Sequence, residues 1–294
     1  MRLTILGSST ENPVASAADR LFSLPGLLLS MYRASAPNFY SYNISGNMFL
    51  YNDSFYLAEQ LRLFVDHQAK RSTADSSPPT LNLDADISAL ELFGKRAYGR
   101  EMESQRTILG DLLDGAQGLA NCTEQPFAQQ CDLAISSTVD RLREVHARWK
   151  PVLSHSALLQ SIGSLLGTVI NKIIIDIEDM SDISEPESQR LTAFCNRVAA
   201  LEDLFLPEPA ADPEARSESP VPRTAVYTPH WLRFQYLTNI LESSLVDIKY
   251  LWTEGELSLE FEAEELIDLI EALFADSEHR RKAIGEIRRS SRGR

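Results

Sequence analysis

The clearest pattern of apolar and polar positions lies near the C-terminus. Through residues 231–254, Phe234, Leu237, Leu241, Leu245, Ile248 and Trp252 recur at steps of three and four, which places them on one face of an α-helix that must be buried against something. After a break at Gly255, residues Leu266, Leu269, Ile270, Leu273 and Phe274 form a second stripe that could cover the first. The two read as a helical hairpin over residues 229–291, with Thr228 as its cap and Pro229 in its first turn. Glu262, Glu264, Glu265 and Asp268 open the second helix, and a basic cluster, Arg280, Arg281, Lys282, Arg288 and Arg289, closes it. The helix dipole favours that order.

The same period recurs upstream. Leu21, Leu24, Leu28, Met31 and Tyr32 suit a helix kinked at Pro25 and ended before Pro37. Residues 38–47 are dense in Tyr, Ser, Asn and Gly and read as a loop. A stripe then resumes at Phe49, Phe55, Leu57, Leu61 and Phe64, and the aromatics of this region are expected to pack between helices. Residues 84–120 give a long helical pattern interrupted by five glycines. Residues 126–150 give a stripe of Phe127, Leu133, Ile135, Val139, Leu142, Val145 and Trp149 that Pro151 stops.

Residues 156–180 are the most apolar stretch. Gln160, Asn171, Lys172 and Asp176 interrupt it, so a buried core helix is favoured over a membrane span, and the Gly163–Gly167 spacing suits close approach of a neighbour. Residues 184–206 form another helix, with Leu191, Phe194, Cys195, Val198, Leu201 and Phe205 facing inward. No convincing strand occurs, and residues 257–261 read at most as a short extended link. Residues 1–13 form a disordered end, 14–206 a helical region with a polar connection near 71–83, and 207–228 a proline-rich linker before the hairpin.

Composition narrows the function classes. The 294 residues carry 42 acidic against 28 basic side chains, a net charge of −14, which disfavours the broad basic footprint of a nucleic-acid binder and general adsorption to anionic lipid. Three cysteines without CxxC spacing argue against a disulfide framework and for a reducing compartment. No signal peptide is readable.

Candidate chemistry is sparse. There is no phosphate-binding glycine loop, no HExxH and no paired Cys/His set. The five histidines are scattered, and Cys195 sits on an apolar stripe as a core residue. Carboxylate pairs such as Glu264 and Asp268 read as solvated faces. No catalytic residue, metal or cofactor is expected, and a helical enzyme with no recognisable motif stands as the alternative of another class. The basic cluster on residues 280–289 is the candidate partner-binding surface.

Three pieces of the chain carry a resemblance: SMYRASAPNFYSYNISGNMFLYNDSFYLAEQL, IGSLLGTVINKIIIDIEDMSDIS and, most specifically, WLRFQYLTNILESSLVDIKYLWTEGELSLEFEAEELIDLIEALFADSEHRRKAIGEIRRS. They resemble, in order, the C-terminal part of the zeste-white ten family, in a version similar to that of filamentous fungi. The resemblance implies an all-α, elongated helical bundle or rod of the multisubunit-tethering-complex type. It implies a non-enzymatic subunit that acts in Golgi-to-endoplasmic-reticulum retrograde transport through contacts with other tether subunits and SNARE proteins. The setting would be cytoplasmic and peripheral to the endoplasmic reticulum, with membrane association only through partners. A kinetochore and spindle-checkpoint scaffold, working with kinetochore proteins in mitosis, is the alternative that the same family implies.

Overall fold

The computed structural model describes residues 13–71, 82–206 and 222–292. Among them there are twelve α-helices, two short 3-10 helices and no strand, so the fold is all-α. The expected disordered end and most of the proline-rich linker lie outside the described residues. The chain forms two compact units, Met1–Glu101 and Met102–Arg294.

The first unit holds α1 (Pro13–Tyr40), α2 (Gly46–Arg71) and the start of α3 (Asp84–Asp114). Leu29, Ala58, Ile87 and Leu90 make one core cluster, and Ala36, Leu50 and Ala97 a second, bridged by the half-buried Tyr32. The small alanines let the helices approach while the leucines fill between them.

The turn from α1 to α2 requires its glycine, because a Cβ on Gly46 would lie 2.4 Å from the Tyr40 carbonyl oxygen. Tyr40 then stacks on Phe49 at 5.7 Å and donates its phenol to Asp53. Tyr51 packs on both Phe55 and Tyr98. Phe39 and Tyr42, by contrast, are 78% and 97% exposed, so the packing expected of this aromatic stretch is incomplete at the loop.

One expectation fails in α1. The helix, with Pro25 inside it, continues through Pro37 instead of ending before it. Each proline removes one backbone donor. Burial of Leu29 and Ala36 on the same helix offsets that loss.

The second unit is built around α5 (His155–Glu178), in which Leu158, Leu159, Ile162, Leu165, Leu166, Val169, Ile170, Ile173, Ile174 and Ile177 are buried. It is the one described helix long and apolar enough to cross a membrane, and 67% of its most apolar window is covered by the protein itself. Two of its charges pair one turn apart, with Lys172 Nζ 2.7 Å from Asp176.

Helices α4 (Phe127–Trp149) and α6 (Glu185–Ala199) pack on each other, and α4 also packs on α5. On α4, Leu133 of the expected stripe is instead 68% exposed, while Cys131, Ile135, Val139, Leu142, Val145 and Trp149 face inward. Helix α6 starts with a reciprocal capping box between Ser184 and Glu187 and passes at its end into a 3-10 turn, Ala200–Phe205. All six residues of its predicted stripe are buried.

The expected hairpin is instead a run of short helices. After α7 (Thr224–Tyr227) come α8 (Trp231–Glu242), α9 (Leu245–Thr253), α10 (Leu257–Glu260), α11 (Ala263–Leu273) and α12 (Glu278–Arg292). The first stripe breaks at Ser243, whose backbone is extended, and Ser244 caps α9 by accepting from the Asp247 amide at 3.4 Å. Serine side chains offer the backbone an alternative to continued helix, and here two occur together.

The start also differs. Thr228 closes α7, its amide donating to the Thr224 carbonyl at 2.8 Å, and the residue before α8 is His230, in a left-handed conformation at φ 59°. Residues Leu257–Glu260 form a helical turn where an extended link was expected.

These helices do not stand apart from the chain that precedes the proline-rich stretch. α8 packs on α6 and α5, α11 on α5, and α12 on α9 and α11, all within the second unit. Buried Phe234, Leu237, Ile240 and Leu241 supply the α8 side of that packing.

Candidate partner-binding surface

Helix α12 buries Ala283, Ile284 and Ile287 and turns its remaining positions toward solvent, which follows from three apolar residues among so many charged ones. The five cations of the sequence-predicted surface are not equivalent. The Arg280 guanidinium donates to the Phe274 carbonyl at 2.6 Å and the Glu271 carbonyl at 3.2 Å, and lies 3.2 Å from Asp276. It therefore caps the C-terminal end of α11, where orphan carbonyls and the negative dipole end favour a cation.

Arg281 pairs with Asp276, and the two arginines hold that carboxyl below its usual pKa, Arg281 most strongly. Arg288 reaches back to Glu264 with contacts of 3.0 and 3.3 Å, pinning the end of α12 to the start of α11. Arg289 donates to the Gly285 carbonyl of its own helix at 3.0 Å. Lys282 and Arg289, seven positions apart and so on one side of α12, make no salt bridge to a described residue. The structure thus leaves Lys282 and Arg289, with Glu286 between them and the exposed heads of Arg281 and Arg288 beside them, as the part of the basic surface outside the salt bridges.

A charged node that periodicity does not show holds this end of the unit together. Arg233, on α8, lies 2.6 Å from Glu178 at the end of α5 and 3.1 Å from Glu265 on α11. It also donates to the Glu260 carbonyl at 3.0 Å, and its guanidinium stacks over the Phe261 ring at 4.4 Å. Burial opposes the charge on Arg233, and the hydrogen bonds it donates to Glu265 and Glu178 more than offset this, so its pKa is raised. Burial likewise pushes the Glu265 carboxyl up, but Arg233 and the Glu262 amide pull it down further. Four helices meet at one side chain. The only signal in the sequence was an arginine one position before Phe234, the one cation of α8.

Reactive groups are placed unfavourably for catalysis. All three cysteines are buried and free; burial pushes Cys195 up to about 12 and Cys122 up to about 11, and raises Cys131 as well. At neutral pH they are thiols without nucleophilic character. His146 is half-buried, with its pKa lowered chiefly by burial. Among the described residues no three His, Cys, Asp or Glu side chains are grouped as metal ligands.

What these features define is an all-helical protein with a dense apolar core and a surface patterned by charge. The amino-acid sequence matches the family model of the ZW10 C-terminal helical domain over residues 133–287, more than half of the 294 residues, and the chain belongs to that family. It is 25% identical to a rat centromere/kinetochore protein zw10 homolog over 97% of this chain and 37% of the relative. It is 26% identical to an Arabidopsis thaliana homolog over 81% of this chain and 31% of the relative. It is 24% identical to the centromere/kinetochore protein zw10 of Drosophila pseudoobscura over 96% of this chain and 36% of the relative. The chain therefore spans about a third of the length of these relatives.

Proposed function

We propose that the chain is a non-enzymatic scaffold subunit that acts by protein–protein contacts within a tethering complex for Golgi-to-endoplasmic-reticulum retrograde transport. The observation that carries this reading is the match to the ZW10 C-terminal helical domain, which spans the α4–α12 region described above. The dense helical core, the buried thiols and the scattered titratable groups give added support, because they leave surface contact as the readiest activity of the fold.

Its partners are other tether subunits and their SNARE proteins. It works on the cytoplasmic side, at the surface of the endoplasmic reticulum, through those partners. The exposed Lys282 and Arg289, with Arg281 and Arg288, form one contact surface in this reading.

A second reading is favoured by the names of the relatives, which place them at the centromere and kinetochore. In it the chain scaffolds kinetochore proteins in mitosis. Acute depletion separates the two. The transport reading predicts that an endoplasmic-reticulum resident protein dependent on retrieval escapes forward within one transport cycle in non-dividing cells. Normal retrieval together with a failed mitotic arrest would refute it in favour of the kinetochore.

A further inference from the structure

A groove of about 560 Å³ opens in the second unit where the first turns of α6 meet the C-terminal ends of α8 and α11. Its apolar part comprises the buried Ile183, Ile240 and Leu241 and the half-buried Leu273 and Phe274. Its polar rim carries two exposed carboxylates, Glu185 and Glu242, neither of which makes a salt bridge to a described residue, and no Lys, Arg or His lines it.

The fixed dipoles act in the same sense. The groove receives the negative end of α8, whereas the positive end of α6 is occupied by its own Ser184–Glu187 capping box. Arg280 already caps α11 through the Phe274 and Glu271 carbonyls, so the negative field in the groove comes from α8, Glu185 and Glu242. A further group lies unused: Thr192, 4% exposed and lining the groove, has a buried hydroxyl with no hydrogen-bond partner among the described residues. Such a group carries a desolvation cost that a bound carbonyl would remove.

We propose that this groove is the docking site for a basic peptide segment of a partner protein, one that seats an aliphatic or aromatic side chain between Leu241 and Phe274 and sets flanking Lys or Arg side chains against Glu185 and Glu242. The volume suits two or three side chains, and the charge fixes their sign. This rests on the reading of the chain as a scaffold and names the chemistry of one of its partners.

The test is an array of ten-residue peptides, each with an apolar centre flanked by Lys/Arg, by Glu/Asp or by Ser, probed with the full chain. The best binder and its acidic counterpart are then titrated as fluorescein conjugates by anisotropy. The groove predicts selection of the basic set, a steep loss of affinity with salt, and at least tenfold weaker binding to a Glu185→Gln, Glu242→Gln double variant, with a Glu202→Gln variant, exposed beyond the far end of α6, unchanged. Both glutamates are exposed, so the double variant folds. Binding of no basic peptide, equal binding of the acidic set, or unchanged affinity in the double variant overturns the proposal. If wild-type chain recovers tether subunits from cells and the double variant recovers every one equally, the groove is refuted while the scaffold reading stands.

Discussion

Gly163 offers a substitution whose sign can be worked out beforehand. It lies in the interior of α5, where exchanging Gly for Ala ordinarily stabilises a helix by about 1 kcal/mol. A Cβ at this position, however, would stand 2.3 Å from the Tyr227 carbonyl oxygen, 2.6 Å from its carbonyl carbon and 2.9 Å from its Cβ. The obstacle is mostly backbone, so a side-chain rotation cannot relieve it, and α7 would have to move as a piece with its buried Thr224. Overpacking of this kind costs up to about 3 kcal/mol, which leaves Gly163→Ala destabilised by about 2 kcal/mol net.

Gly110→Ala on α3 is the matched control. Nothing lies within 4 Å of its Cβ position, so it should gain up to about 1 kcal/mol. Urea unfolding followed by tryptophan fluorescence reads the right unit, because Trp149, Trp231 and Trp252 all lie in Met102–Arg294. With the slope unchanged, the midpoint should fall for Gly163→Ala and rise for Gly110→Ala. In a thermal scan the first change corresponds to about 4–8 °C. A Gly163→Ala protein as stable as wild type would refute the close approach of the residue 224–229 segment to α5.

Three other outcomes follow from the packing and electrostatics. Phe234→Ala, at a fully buried position, should cost about 3–5 kcal/mol by the same unfolding assay, whereas a polar change at the half-buried Leu245 should cost less. An equal loss at both positions would place Leu245 in the core. Replacing Arg233 by Gln should cost about 2 kcal/mol at neutral pH. Because the folded Glu265 pKa lies below its unfolded value, its contribution is present above that value and fades as pH falls through the folded one; the gap between variant and wild type must therefore narrow on acidification. A gap constant from pH 7 to pH 3 would show that the Arg233–Glu265 pair contributes nothing. Finally, native protein at pH 8 should leave all three thiols unmodified by iodoacetamide while urea-unfolded protein reacts at each; modification of Cys195 in the native state would contradict its burial.

The inward faces were legible in the sequence where apolar residues kept strict helical spacing over long stretches. The stripe from Leu191 to Phe205 is buried throughout, and Gly163 and Gly167 do mark a close approach, with Tyr227 and Pro229 as the neighbours. Periodicity failed where a local backbone preference competed with it. The stripe from Phe234 to Trp252 keeps its phase across Ser243 and Ser244, so it reads as one helix although the serines divide it. Pro37 gave the converse error, since α1 continues to Tyr40 through a position that local rules assign to an end.

The basic cluster on α12 was visible as composition. Its division between structural and free cations was not, because that depends on which carbonyls and carboxylates the fold brings to Arg280, Arg281 and Arg288. The Arg233 node had no periodic signature for the same reason: its partners Glu178, Glu260 and Glu265 lie tens of residues away along the chain.

The central claim, a scaffold acting through protein contacts, is tested most directly by quantitative affinity purification of the tagged chain at native expression level, in interphase and in mitotic arrest. The account predicts stoichiometric recovery of other tether subunits with their SNARE proteins in interphase, weakened by substitution of Lys282 and Arg289. Recovery of no tether, SNARE or kinetochore subunit in either state would contradict it.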